Sequence, residues 1–218
     1  GLPDTIALAT RLGITTLPEP SRYGLALVLG GAEVKLVDLT SAFGVFGQEG
    51  KRVPTDGILR VVDREERDVY KRTTSSDIVL GENVAREISS ILSDNAARTP
   101  VFGSSSPIAF PKGTGVAAKT GTTQNFRDAW TVGFTRDVAL GIWTGNNDNT
   151  AMEEGADGIY MAAPMWRTMM DKLLERYPAT PFTDYVDETP EDGSVTPTDI
   201  IGGEPKVVYY DKKTGKKI

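Results

Sequence analysis

The chain of 218 residues contains no cysteine and no histidine. These two absences exclude disulfide frameworks, thiol nucleophiles, Ser-His-Asp triads and zinc sites built from His and Cys. Catalysis by this chain has to run on Ser, Thr, Lys, Asp, Glu, Tyr or backbone groups. A lack of cysteine is also compatible with an oxidising compartment. Long apolar runs are missing too. The longest local candidate, Leu25-Ala26-Leu27-Val28-Leu29, stops at Gly30-Gly31, far short of the ~20 residues that span a bilayer. Positive charge is in deficit, with 24 Lys and Arg against 30 Asp and Glu, which disfavours a nucleic-acid partner.

The charge is unevenly spread. Residues 184–204 hold Asp184, Asp187, Glu188, Glu191, Asp192, Asp199 and Glu204 and no Lys or Arg. That segment is also rich in Pro and Thr, the composition of a solvated linker. Residues 205–218 hold five lysines and Asp211 and read as a short basic strand and turn. The expected organisation is therefore a body over 1–183, an acidic linker over 184–204 and a tail over 205–218.

Within the body, Pro3-Asp4 opens a helical pattern that Gly13 stops, and residues 14–24 form a loop. A second helix follows Glu33, with Leu36, Leu39, Ala42, Phe43 and Phe46 at three- and four-residue spacing. Residues 58–62 and 69–72 flank a polar stretch, as a hairpin would. A helix is expected over 83–92. Three short apolar strands are expected near 116–119, 129–134 and 138–144, and a closing helix over 164–176. The order of helices, antiparallel meander and final helix predicts an α+β fold, an antiparallel sheet flanked by helices. The three tryptophans are expected to be core or cleft walls. The Met161, Met165, Met169 and Met170 face is expected to be packing. No acidic cluster has metal-ligand spacing, and no metal or other cofactor is expected.

The segment richest in chemistry is Lys119-Thr120-Gly121-Thr122-Thr123. Strand alternation puts Lys119 and Gly121 on one face and Thr120 and Thr122 on the other. A lysine at a cleft supplies a positive charge, and hydroxyls can bind an anionic group. A glycine lets a ligand approach the backbone, and a backbone N–H there can serve as an oxyanion donor. The tripeptide alone is weak evidence, because Lys213-Thr214-Gly215 repeats it in the tail among lysines, where a solvated turn is the reading.

The run Gly115 to Thr123, followed by Asp128-Ala129-Trp130-Thr131-Val132-Gly133-Phe134 and Ile142-Trp143-Thr144-Gly145-Asn146, resembles the transpeptidase domain of the class A, bifunctional penicillin-binding proteins. Gly13-Ile14, Leu27 to Val34, Leu39 to Phe46, Ile91 to Arg98 and Ala163-Pro164-Met165-Trp166 resemble it as well, so the likeness covers about residues 1–178. The resemblance implies the penicillin-binding-protein and serine β-lactamase-like fold, here in part. It implies an acyl-serine mechanism that cross-links peptidoglycan stem peptides and is blocked by β-lactams. Lys119 is then the third-motif lysine, Thr120, Gly121, Thr122 and Thr123 the substrate-binding residues, and the Thr122 N–H one oxyanion-hole donor. The parent protein would act on the outer face of the cytoplasmic membrane, held there by an N-terminal anchor that this chain does not contain. A mechanism in which lysine and serine move the protons has no need of histidine.

The departure from that pattern is large. No lysine in the chain has a serine three residues before it, so the nucleophile motif Ser-x-x-Lys is absent. Ser93-Asp94-Asn95 matches the second motif, Ser-x-N, as text, but it follows a predicted helix and reads as that helix's C-terminal cap. The chain is therefore expected to be the C-terminal portion of the domain, not labelled by penicillin when isolated. Its sheet edges and apolar faces are expected to need the missing N-terminal part or a second copy. The alternatives are a non-catalytic binding or scaffolding module, and a carboxypeptidase or β-lactamase relative. An intact Ser-x-x-Lys upstream would separate a cut enzyme from a pseudoenzyme.

Overall fold

Three strands from one contiguous stretch form the centre of the molecule. The structure, a computed structural model, describes residues 1–17 and 19–187. Strands β5 (Ala117–Thr122), β6 (Asp128–Phe134) and β7 (Ala139–Gly145) make an antiparallel sheet in the order β5-β6-β7. Lys119 pairs with Val132, Gly121 with Trp130, and Trp130 in turn with Trp143. Thr135 builds the turn between β6 and β7. Its hydroxyl accepts the N–H groups of Asp137 (3.1 Å) and Val138 (3.1 Å), and its own N–H reaches the Val138 carbonyl (2.7 Å).

Each face of this sheet is covered by a helix. On one face lies α6 (Ala163–Arg176), preceded by the short α5 (Gly158–Met161). Trp166 and Met170 of α6 are fully buried and pack with Val116, Ala118, Leu140 and Ile159. The Trp166 indole N–H donates to the Leu140 carbonyl (3.0 Å), and Phe110 meets the ring edge-on at 6.2 Å. On the other face lies α2 (Leu36–Gly47). Its Phe43 and Phe46 meet Phe134 at 6.3 and 6.0 Å between ring centroids. At full burial such large apolar side chains each contribute about 1.5–3 kcal/mol.

The N-terminal helix α1 (Leu2–Leu12) ends on Gly13, at φ 111°, and packs Ile6 with Ile14, Leu17 and Ala42. After α2 come four short strands, β1 (Lys51–Arg52), β2 (Arg60–Val62), β3 (Asp68–Lys71) and β4 (Asp77–Ile78). β2 and β3 form the hairpin expected from the sequence, and β1 pairs with β4. Helix α3 (Glu82–Ser93) brings Ala85 against Val45, Val79 and Leu80. Beyond α6 the chain turns back, and the Thr180 carbonyl sits so close to Gly115 (φ 74°) that a Cβ there would stand 1.8 Å from it. Val186 then exchanges two hydrogen bonds with the Asn83 side chain, at 2.7 and 2.8 Å. The remainder of the predicted linker over 184–204 and the tail over 205–218 lie outside the described residues.

Several local readings need correction. The 93–95 segment does end a helix, α3, with Asp94 at the C-cap, but Asn95 takes no part in that cap. Asp94 is the N-cap of a further helix, α4 (Asn95–Phe102), its carboxylate accepting the Ala97 N–H (3.0 Å). The Ser93 hydroxyl turns back to the Ser90 carbonyl (3.1 Å), while the Asn95 amide donates to the Phe110 carbonyl. The methionine face is not a packing face either. Met161, Met165 and Met169 are exposed and only Met170 is buried. The face of α6 that packs runs through Ala163, Trp166 and Met170 to Leu173 and Leu174, the helical period proper. The apolar run at 25–29 forms a 3-10 helix with Leu25, Val28 and Leu29 exposed. Among the described residues no helix is long and apolar enough to cross a membrane.

Candidate functional site

β5 pairs with β6 along one edge only, and among the described residues no strand covers its other edge. Which backbone groups face that open edge follows from the ladder. The Thr123 N–H donates to the Asp128 carbonyl (3.1 Å). N–H groups of an antiparallel strand alternate in direction, so those of Gly121 and Lys119 also point to β6. Those of Thr122 and Thr120 point outward.

Side chains alternate with the same period. Lys119 and Gly121 stand on the face that carries α2, where α3 also lies along β5. Thr120 and Thr122 stand on the α6 face, Thr120 buried and Thr122 exposed. The Lys119 ammonium folds back onto the Thr120 carbonyl (2.5 Å). Lys119 is exposed at the strand edge, yet partial desolvation of its stem side, and second the nearby Arg98 guanidinium, hold its pKa below the ordinary lysine value. Arg98, on α4, is held by main-chain carbonyls, with Nε to Asp94 (3.3 Å), Nη1 to Ile108 (3.5 Å) and Nη2 to Leu92. Neither cation takes part in an ion pair among the described residues. The strand edge therefore carries two cations, Arg98 partly balanced by the nearby Asp94, close to outward N–H groups, an arrangement that favours an anionic ligand.

The strand end is fixed by two brackets. Thr122 Oγ1 accepts the Gly158 N–H (3.1 Å). Thr123 Oγ1 accepts the Asp128 N–H (2.9 Å) and donates to Asp128 Oδ2 (3.2 Å), while Asp128 Oδ1 accepts the Trp143 indole N–H (2.7 Å). The loop that follows carries Asn125 and Phe126 at φ 60° and 52°, left-handed values that non-glycine residues rarely adopt. Met152 N–H to the Phe126 carbonyl (2.9 Å) and Arg127 to the Asn149 carbonyl tie this loop to residues 149–152.

All five residues singled out in the sequence thus share one strand end. Lys119 and Thr122 both border the open edge, their side chains on opposite faces of the sheet, whereas the Thr123 hydroxyl is engaged on both sides by Asp128. Sequence reasoning assigned no role to Arg98, Asp128 or Gly158. Arg98 and Asp128 lie in the runs 91–98 and 128–134 that carry the family resemblance, whereas Gly158 lies in none of them. Ser93-Asp94-Asn95 sits at the α3–α4 junction. Among the described residues no group of three His, Cys, Asp or Glu side chains is placed to hold a metal ion. A groove of about 590 Å³ is lined by Val37, Val53, Pro54, Thr55, Asp56, Gly57 and Arg72 and includes none of the 119–123 segment.

No profile of a known protein family matches the chain. Individual proteins do. Penicillin-binding protein 1C of Escherichia coli K12 is 32% identical over 180 residues, which cover 83% of this chain and 20% of that protein. The solved structure of penicillin-binding protein 1A from Haemophilus influenzae matches 94% of this chain and 37% of its own, at 20% identity and a TM-score of 0.71. PonA1 of Mycobacterium tuberculosis in complex with penicillin V matches 85% of this chain and 53% of its own, at 23% identity and a TM-score of 0.69. The chain spans about a fifth to a quarter of the length of the curated relatives it matches.

Proposed function

The chain is a homologue of the class A penicillin-binding proteins and has the fold of their transpeptidase domain over most of its length; from this premise we propose that it supplies the substrate-binding strand of a peptidoglycan DD-transpeptidase. The observation that carries the reading is the open edge of β5, with the Thr122 N–H directed outward beside the Lys119 charge. A stem peptide ending in D-Ala-D-Ala, or a β-lactam, adds to that edge as an extended segment. Thr120 and Thr122 bind its carboxylate, Gly121 leaves room for its backbone, and Thr123 closes the strand end. The Thr122 N–H stabilises the oxyanion that forms when a serine attacks the penultimate carbonyl. The terminal D-alanine departs with a proton, and the amine of a neighbouring stem then takes the acyl group.

The serine does not come from this chain. It belongs to a Ser-x-x-Lys segment elsewhere in the same protein, packed on the Lys119 face. The depressed pKa of Lys119 suits a lysine that shares in proton traffic. The exposed apolar side chains of Leu25, Val28 and Leu29, and of Tyr160, Met161, Met165 and Met169, support a complementing segment. The parent protein acts on the outer face of the cytoplasmic membrane.

A fluorescent penicillin followed by denaturing electrophoresis tests the assignment. The isolated chain is expected to stay dark, the full-length protein to be labelled, and Lys119→Ala in the full-length protein to lose at least tenfold in labelling rate. A labelled isolated chain, or an unlabelled full-length protein, overturns it.

A further inference from the structure

Gly158 lies 36 residues beyond Thr122 and belongs to no motif, yet it is seated directly on the substrate strand. Its N–H donates to Thr122 Oγ1 (3.1 Å), and its carbonyl accepts the buried Thr131 hydroxyl (3.2 Å). It does not have a positive φ, so the glycine is not required by backbone conformation. It is required by space. A Cβ at 158 would stand 2.5 Å from the Trp130 carbonyl oxygen, 2.6 Å from the Gly121 carbonyl oxygen and 3.2 Å from the Gly121 nitrogen. All three are backbone atoms of paired strands and cannot swing aside.

We propose that Gly158 is a positioning residue whose N–H orients the Thr122 hydroxyl, so that its proton is presented to the carboxylate of the bound ligand. A hydroxyl has one proton and two acceptor lone pairs. With the Gly158 N–H on one lone pair, the proton cannot point toward residue 158 and is left for an outside acceptor. A hydroxyl that already accepts a hydrogen bond is also the stronger donor, because chained hydrogen bonds polarise one another. The Thr131 hydroxyl holds the Gly158 peptide from the other side, so the orienting group is itself fixed. The inference rests on the reading of Thr122 as a carboxylate ligand.

The test is the second-order rate constant for acylation of the full-length protein by benzylpenicillin. Thr122→Val is expected to lower it about 10- to 100-fold, the range for one hydrogen bond to a charged group. Gly158→Ala is expected to lower it about tenfold, and Gly158→Ala/Thr122→Val to be no slower than Thr122→Val alone. Acylation by the penicillin methyl ester, which lacks the anion, is expected to be nearly indifferent to Gly158→Ala, a result that a merely structural role would not produce. If Thr122→Val is silent, the site reading fails and this inference with it. If Thr122→Val is slow while Gly158→Ala is silent, or costs the same factor again in the Thr122→Val background, only the inference falls. Should Gly158→Ala not yield folded protein, Thr131→Val removes the anchoring hydroxyl alone. A several-fold loss that disappears in the Thr122→Val background supports the proposal, and an undiminished loss there overturns it.

Discussion

Gly133→Ala probes the sheet that carries the site, and its cost can be worked from local geometry. Gly133 lies near the end of the central strand β6, paired with Ala118 on one side and Leu140 on the other. A Cβ there would lie 2.3 Å from Trp166 Cζ2, 3.0 Å from Trp166 Cε2 and 2.4 Å from the Ala117 carbonyl oxygen. Ordinary contacts to a methyl group are roughly 3.5–4.0 Å, so ring or strand has to move by more than about 1 Å. Neither is free to do so. Trp166 is fully buried and held at Leu140 by its indole N–H, and Ala117 lies in the β5–β6 ladder beside Phe134. Overpacking of a close-packed core costs about 1–3 kcal/mol, and a displaced indole loses a hydrogen bond worth about 1 kcal/mol. The expected total is about 3 kcal/mol, a large part of the 5–15 kcal/mol that a domain has. Urea unfolding followed by far-ultraviolet circular dichroism reads this as a lowered midpoint at unchanged slope. Trp166→Phe, which withdraws the clashing ring edge, is expected to couple with it, the double variant being less destabilised than the sum by about 1–2 kcal/mol. A cost for Gly133→Ala below about 1 kcal/mol, or strict additivity with Trp166→Phe, would refute the reasoning.

Lys119 and Glu49 give opposite pH dependences. Partial desolvation and the Arg98 charge hold the Lys119 pKa below its unfolded value, so between the two values the unfolded chain binds more protons and stability rises with pH. The side chain is exposed, so solvent screens most of this effect, and Lys119→Met is expected to melt within about two degrees of the wild type at pH 7 in thermal scans; a drop of several degrees would contradict this. The Glu49 carboxyl lies below its ordinary value because of hydrogen bonds from Thr183 and Arg86, reinforced by the Arg86 and Arg136 charges. It joins Arg86 of α3 (3.2 Å) to Arg136 of the β6–β7 turn (3.3 Å). Its contribution is fully present above the unfolded pKa and is lost as the pH falls through the folded one. Glu49→Gln is expected to cost about 1–2 kcal/mol at pH 7 and progressively less as the pH falls below the ordinary carboxylate range. Parallel wild-type and variant curves in urea unfolding from pH 7 to 3 would exclude the role.

The central meander and the lysine on its first strand were readable because both obey short-range rules. The period of two along 117–122 and 128–134 fixes which side chains share a face, and the polar Thr135–Asp137 stretch marks the turn. The readings that failed did so where the local signal pointed two ways. Asp94 ends one helix and begins the next, so Ser93-Asp94-Asn95 looks like a terminus from either side, and Pro100 inside α4 hides the helix that follows. Met161, Met165 and Met169 each stand one residue before the buried set Ala162, Trp166 and Met170, and one residue is about 100° of helix turn, so two stripes of equal spacing compete and the sequence does not say which faces inward. Gly158 was invisible for a deeper reason. Between Asp157 and Ile159 it reads as an ordinary turn residue, because nothing nearby demands it. The demand comes from the carbonyls of Gly121 and Trp130, brought beneath it by the packing of α5 on the sheet. The motif names the residues that face the ligand. The residue that orients one of them is set by tertiary contact, and pattern along the chain carries no trace of it.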